Sequence, residues 1–235
     1  MTDTILVPVE LPDPGALSPV LVSDLSSLSV VVLGHYQLPE QTPTNSGREQ
    51  FEADAEATLQ GIAERFSAAG ASVRTRLVFG KDRSTAISRV ADEEDCVAEL
   101  VPAPTEGIDR ILVPIPDVPE FERLPRFIDA LCEDSTQQIT VFHAVEDEES
   151  RERGESIVGQ TRDELVDAGF DTSRVDTRTT VGEAHDDAIL RIADEYDAVV
   201  MYTAESRLGD RLFGTLPDRI KKRTGDPVIT VRRDY

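Results

Sequence analysis

The sequence predicts an α/β fold built as two parallel-sheet domains in tandem, the first truncated. Three observations predict it. Short apolar runs alternate with segments of helical period along the whole chain, the pattern of a parallel sheet with helices on its faces. The opening run Ile5-Leu-Val-Pro8 recurs as Ile111-Leu-Val-Pro114. Val73 to Val97 aligns with Val175 to Val199 without a gap at an offset of 102 residues, and roughly half the positions are identical. The identities include Thr75-Arg76 with Thr177-Arg178, Gly80 with Gly182, Ala86-Ile87 with Ala188-Ile189, and Ala91-Asp92-Glu93 with Ala193-Asp194-Glu195. The domains are therefore expected at residues 1–104 and 105–235, each Rossmann-like, packed about an approximate two-fold axis.

Each element has its own signal. Thr4–Val9 is an apolar run stopped by a Pro-rich loop, as a buried parallel strand requires. Leu17–Leu25 suits a short helix, and Leu28–Tyr36 a second strand. Glu49–Ala69 places Phe51, Ala55, Leu59, Ile62, Ala63 and Phe66 at helical spacing, and Gly70 stops it. Ser72–Phe79 alternates as a strand, Asp82–Glu94 is a helix, Cys96–Val101 a fourth strand, and Pro102–Gly107 a linker. The second half repeats the order: strand Arg110–Ile115, helix Phe121–Leu131, strand Gln138–Val145, helix Ser150–Ala168, strand Ser173–Val181, helix Glu183–Tyr196, strand Ala198–Tyr202. It then continues with a helix to about Thr224 and a closing strand Pro227–Val231, which the first half lacks.

Composition narrows the function. Acidic residues outnumber basic ones 46 to 24, the net charge is −22, and Lys81, Lys221 and Lys222 are the only lysines. An acidic surface this poor in lysine fits a high-salt cytoplasm, where screening weakens self-repulsion. It argues against nucleic-acid binding, which needs a cationic face. No apolar run is long enough to span a bilayer, and the N-terminus shows no basic segment of a signal peptide, so neither membrane nor secretion is expected. Cys96 and Cys132, far apart in sequence, read as small buried residues in a reducing compartment.

The residues above resemble the universal stress protein family in its tandem, haloarchaeal-like form. The resemblance is carried by the Ile-Leu-Val-Pro strands, Gly182-Glu-Ala, Asp197-Ala-Val-Val-Met201 and Asp226-Pro-Val-Ile-Thr-Val231. It implies an adenine nucleotide alpha hydrolase-like fold and a cytoplasmic stress-responsive protein that dimerises, often through its last strand. Members that bind ATP are similar in a loop of the form Gly-x-x-Gly, nine residues, then Gly-Ser or Gly-Thr. Here Tyr202 and Glu205 stand at the first two glycines, the spacer is one residue short, and Gly214-Thr215 alone matches. Glycines let a backbone approach a phosphate closely; a Tyr adds bulk, and a Glu adds repulsion of about a few kcal/mol at close range. The Asp that ends the first strand in binders is Pro116 here and Glu10 in the first half. The strand-two position that packs on adenine is Ala144, or Tyr36 in the first half.

These residues set the expectations. The candidate nucleotide contacts are Ala144, Gly214, Thr215, Leu216 and Arg207, with Arg211 a second cation beside the loop. The competing reading of Thr215 and Asp218 is a capping box, with Pro217 in the first helical turn. His35 and His143 end equivalent strands and read as packed histidines. His185 beside Asp186 and Asp187 has no metal-ligand spacing, no Gly-x-Ser-x-Gly elbow occurs, and Gly80-Lys-Asp lacks the phosphate-loop frame. Lys221-Lys222-Arg223 suits a helix C-terminus. The expected function is a stress-response regulator or scaffold working by self- or partner-association. It is not an enzyme, needs no cofactor or metal, and forms a homodimer through the closing strand. The alternative is an ATP- or AMP-binding sensor using the second domain.

Overall fold

The computed structural model describes residues 2–15, 17–38, 43–117, 123–132, 137–203 and 215–232. The first half forms strand β1 (Thr4–Leu11), helix α1 (Pro19–Asp24), β2 (Ser29–Gln37), α2 (Thr44–Ala68), β3 (Ser72–Gly80), α3 (Arg83–Glu93) and β4 (Ala98–Val101). The second forms β5 (Arg110–Pro114), α4 (Arg123–Leu131), β6 (Gln138–Val145), α5 (Arg151–Ala168), β7 (Val175–Val181), α6 (His185–Ile192), β8 (Ala198–Tyr202), α7 (Leu216–Thr224) and β9 (Val228–Val231). Strand bounds shift by up to two residues, and two helices differ more. α2 starts five residues early, at Thr44 behind Pro43, because Pro43 lacks an N–H that a helix start would leave unpaired anyway. α6 is shorter than expected, since Ala193–Glu195 tightens into a 3-10 turn.

Among the described residues, the nine strands lie in one sheet, in the order β3-β2-β1-β4-β9-β8-β5-β6-β7. Every neighbouring pair is parallel except β4 with β9. The two halves therefore meet edge to edge in a continuous sheet. β9 is parallel to β8 over Val199↔Val228 to Tyr202↔Val231, and antiparallel to β4 over Ala98↔Val231 to Val101↔Val228. Flanking backbone bonds extend both ladders: Thr203 N–H donates to Val231 O at 2.8 Å, and Arg232 N–H to Val97 O at 2.8 Å. This corrects the expected dimer contact. A strand whose two edges are both hydrogen-bonded inside the chain has no free edge for another copy.

Helices cover both faces. One face holds a single apolar core that runs across both halves, from Ile5, Val7 and Phe66 through Ile229 and Val231 to Ile111, Phe127, Val141 and Leu165. It is packed by α1, α2, α4 and α5. On the opposite face the apolar packing is split. Leu6, Val31, Leu33, Ile87 and Val90 pack under α3, while Leu112, Phe142, Met201, Ile189, Ile220 and Val228 pack under α6 and α7. Between these clusters β4 and β9 carry Glu99 opposite Thr230. Among the described residues, no helix is long and apolar enough to cross a membrane.

Candidate functional site

In the second half, β5 lies between β6 and β8, and the chain leaves β5 on one face of the sheet but β8 on the other. The opening between two such loops, at the carboxyl ends of the strands, is where open α/β sheets hold ligands. It is bordered by Ile115, Pro116 and Asp117 after β5, by Ala144 and Val145 ending β6, by Thr203 after β8, and by the head of α7.

The head of α7 is a complete capping box. Thr215 Oγ1 lies 2.7 Å from Asp218 Oδ2, Thr215 N–H donates to Asp218 Oδ2 at 3.3 Å, and Asp218 N–H donates to Thr215 Oγ1 at 3.4 Å. The helix ends on Gly225 in the left-handed conformation, φ 79°, which only a residue without Cβ adopts freely. Lys221, Lys222 and Arg223 occupy its last turn, where the helix dipole favours cations. Arg219 reaches back to Asp186 at 3.9 Å and Asp187 at 3.7 Å, tying α7 to the head of α6.

Three of the expected contacts lie among the described residues. Ala144 and Leu216 belong to the same buried apolar cluster, and Thr215 is the exposed N-cap of α7. Gly214 and Arg207 lie outside the described residues, as do Glu205 and Arg211. Pairing of the strands revises the first-half counterpart of Ala144. Pro114 is registered with Phe142 and Pro8 with Leu33, so Ala144 corresponds to His35 and not to Tyr36. Tyr36 instead turns to the other face, stacked on Phe51 at 5.0 Å and Phe79 at 5.2 Å. By the same register His143 corresponds to Gly34, so the two histidines are not equivalent and point to opposite faces.

His143 is a packed histidine, as its place at the end of a strand leads one to expect. Its ring is 1% exposed, and Nδ1 lies 2.7 Å from Ile115 O, which fixes the proton on that nitrogen. Nε2 lies 3.5 Å from Asp117 Oδ1, and the His185 ring centroid is 5.4 Å from that of His143. Asp117 and Gly154 were both missed. A Cβ on Gly154 would fall 3.0 Å from Val145, 3.1 Å from Thr179 and 3.2 Å from His143, so α5 needs glycine there to lie against the imidazole. In the first half the glycine is on the strand instead, where a Cβ on Gly34 would meet Leu11 at 2.7 Å and Leu59 at 3.3 Å. Chemically, the second-half arrangement is an imidazole oriented by a carbonyl and facing an exposed carboxylate. Among the described residues no three His, Cys, Asp or Glu side chains converge to hold a metal ion.

By sequence, the chain matches no family model and no curated protein. By structure, it is similar over nearly its whole length to a universal stress protein from Archaeoglobus fulgidus DSM 4304. The two are 14% identical, the match covers 99% of each chain, and the TM-score is 0.68. The chain has the universal-stress-protein fold. A putative universal stress protein from Pseudomonas aeruginosa UCBPP-PA14 is also similar, at 15% identity over 98% of this chain and 93% of that one, with a TM-score of 0.54. Coverage from end to end means that the universal-stress-protein likeness takes in both halves, including the first half with its shorter run of strands.

Proposed function

We propose that the chain is a universal-stress-protein-like regulator or scaffold in a stress response, acting through association with a partner or a second copy. Its nucleotide site is degenerate and it carries no chemistry of its own. The observation that supports this reading best is the head of α7. Thr215 spends both its hydroxyl and its N–H on Asp218, which leaves a carboxylate at the helix N-terminus where a phosphate would have to sit. The division at 104/105 into two universal-stress-protein-like domains belongs to this proposal, as does a high-salt cytoplasmic setting, for which the net charge of −22 is the support. A homodimer in this reading uses a surface other than β9.

The second reading is an ATP- or AMP-binding sensor, and the strand-order reversal at β5 and β8 favours it. Titration calorimetry with Mg-ATP in molar KCl separates the two. The regulator reading expects no saturable heat from folded protein. Heat saturating near one ligand per chain would overturn it and establish the sensor. Thermal unfolding gives an independent check, since a ligand at a hundred times its dissociation constant stabilises by about 2.7 kcal/mol.

A further inference from the structure

His35 lies in β2 at 1% exposure, on the face covered by α3. Among the described residues neither of its ring nitrogens has a hydrogen-bond partner, and the same holds for the buried Nε of Arg83. Leaving a buried polar atom unpaired costs about 1–3 kcal/mol, so such atoms gathered in one place call for an acceptor. They are gathered at the head of α3. His35 Nε2 points at Gly80, close enough that an added Cβ there would sit 3.6 Å away. Gly80 ends β3 and leads through Lys81 and Asp82 into Arg83, the first residue of α3. Burial and then the Arg83 charge push the His35 pKa down, while Glu10 and Asp82 push it up more weakly.

The carboxylates nearby are Glu99, half-buried on β4 and favoured in its charged form by Arg83, together with Asp82 and Glu10, and the last two differ in availability. Asp82 is already committed: Oδ1 accepts from Thr85 N–H at 3.0 Å and Ser84 Oγ at 2.8 Å, and Oδ2 from Thr85 Oγ1 at 2.8 Å. Glu10 is not. Its Oε1 stands 3.5 Å from Arg83 Nε, too far for a good hydrogen bond, on a side chain 68% exposed. Glu10 thus shows the shape of what the site accepts, an oxyanion, without filling it.

We propose that His35 and Arg83 form a binding site for a small oxyanion at the head of α3. The oxyanion accepts from Arg83 Nε and from the facing ring nitrogen of His35, and the Glu10 carboxylate swings into solvent to admit it. Glu10 is then an internal competitor. The site lies in the first half and is independent of the second-half crevice.

The test uses the full chain, in KCl at a concentration that keeps it folded by circular dichroism, with inorganic phosphate and acetate as separate probes. The chain has three histidines, so the imidazole nitrogens can be followed individually by NMR. Either probe should move the His35 resonances saturably and leave those of His143 and His185 in place. A response to phosphate alone assigns a phosphoryl ligand, to acetate alone a carboxylate, and to both the oxyanion class as stated. Arg83→Gln should abolish the response. Glu10→Gln should tighten binding about fivefold through loss of the competing charge, and Glu149→Gln, the same charge change on a distant exposed residue, should not. No movement of His35 with either probe at 100 mM, an undiminished response in Arg83→Gln, or equal tightening by Glu149→Gln would overturn the proposal.

Discussion

Arg178 on β7 lies 2.8 Å from Glu195, and 102 residues earlier Arg76 on β3 makes the same pair with Glu93. In both halves an edge-strand guanidinium reaches the end of the helix that follows. Arg76 also meets Glu94, whose counterpart is Tyr196. The ion pair is thus inherited with the repeat. It is also exposed, with 34% of Arg178 and 55% of Glu195 open to solvent, so its contribution is small. Arg178→Ala should cost about 0–1 kcal/mol in denaturant unfolding, less at high salt. Arg76→Ala should cost more, because it breaks two ion pairs, with Glu93 and with Glu94. The two losses should add within about 0.5 kcal/mol, since the sites share no partner.

The position of β9 leads to a sharper expectation. Val228, Ile229 and Val231 are at most 1% exposed, and Ile229 and Val231 lie in the core that joins the halves. Removing residues from Asp226 onward would strip β4 and β8 of one of their two neighbours each. The truncated chain should not fold, by circular dichroism or by proteolysis, and a folded monomer would contradict the shared-strand arrangement. Ile229→Ala, which keeps the strand, should cost about 2–5 kcal/mol as a buried truncation.

Much of this fold was legible because periodicity and the 102-residue repeat fix which segments are strands and helices. Register was not legible. His35 and His143 look equivalent by residue type, yet only the pairing of Pro8 with Leu33 and Pro114 with Phe142 shows that Ala144 answers to His35. The place of β9 was hidden for a similar reason: its apolar run fits an edge or a centre, and only the bare edge left by the four-residue β4 decides. The capping box was readable, since Thr215 and Asp218 stand at the spacing that local backbone geometry demands. Asp117 was not, because its relation to His143 spans separate strands.

Glu99 sits half-buried in the polar gap between the two apolar clusters. Burial pushes its carboxyl above the usual range, and Arg83 and Arg232 only partly offset this. A raised pKa means that the native state holds a proton the unfolded chain has released. Glu99 therefore lowers stability as pH rises from 4.5 through its native value. Glu99→Gln, of the same shape and uncharged, should raise the denaturation midpoint at pH 7 and change it little at pH 4. Equal effects at both pH values would mean that charge burial at this position is unimportant.

Cys96 gives a check that needs no substitution. It lies 3% exposed behind α3, and burial, reinforced by Glu94, pushes its thiol up to about 12. Reaction with an alkylating reagent requires the thiolate, so at pH 8 the native chain offers almost none. Cys132 is buried to the same degree. Neither thiol should react with iodoacetamide in the folded protein, and both should react in denaturant. Because Cys96 abuts Leu6, Val31 and Ile87 beneath α3, its labelling rate at intermediate denaturant reports the opening of the first half. Should Cys96 label while Cys132 stays protected, the halves open separately despite their common sheet; simultaneous labelling would mean that β9 makes them one cooperative unit.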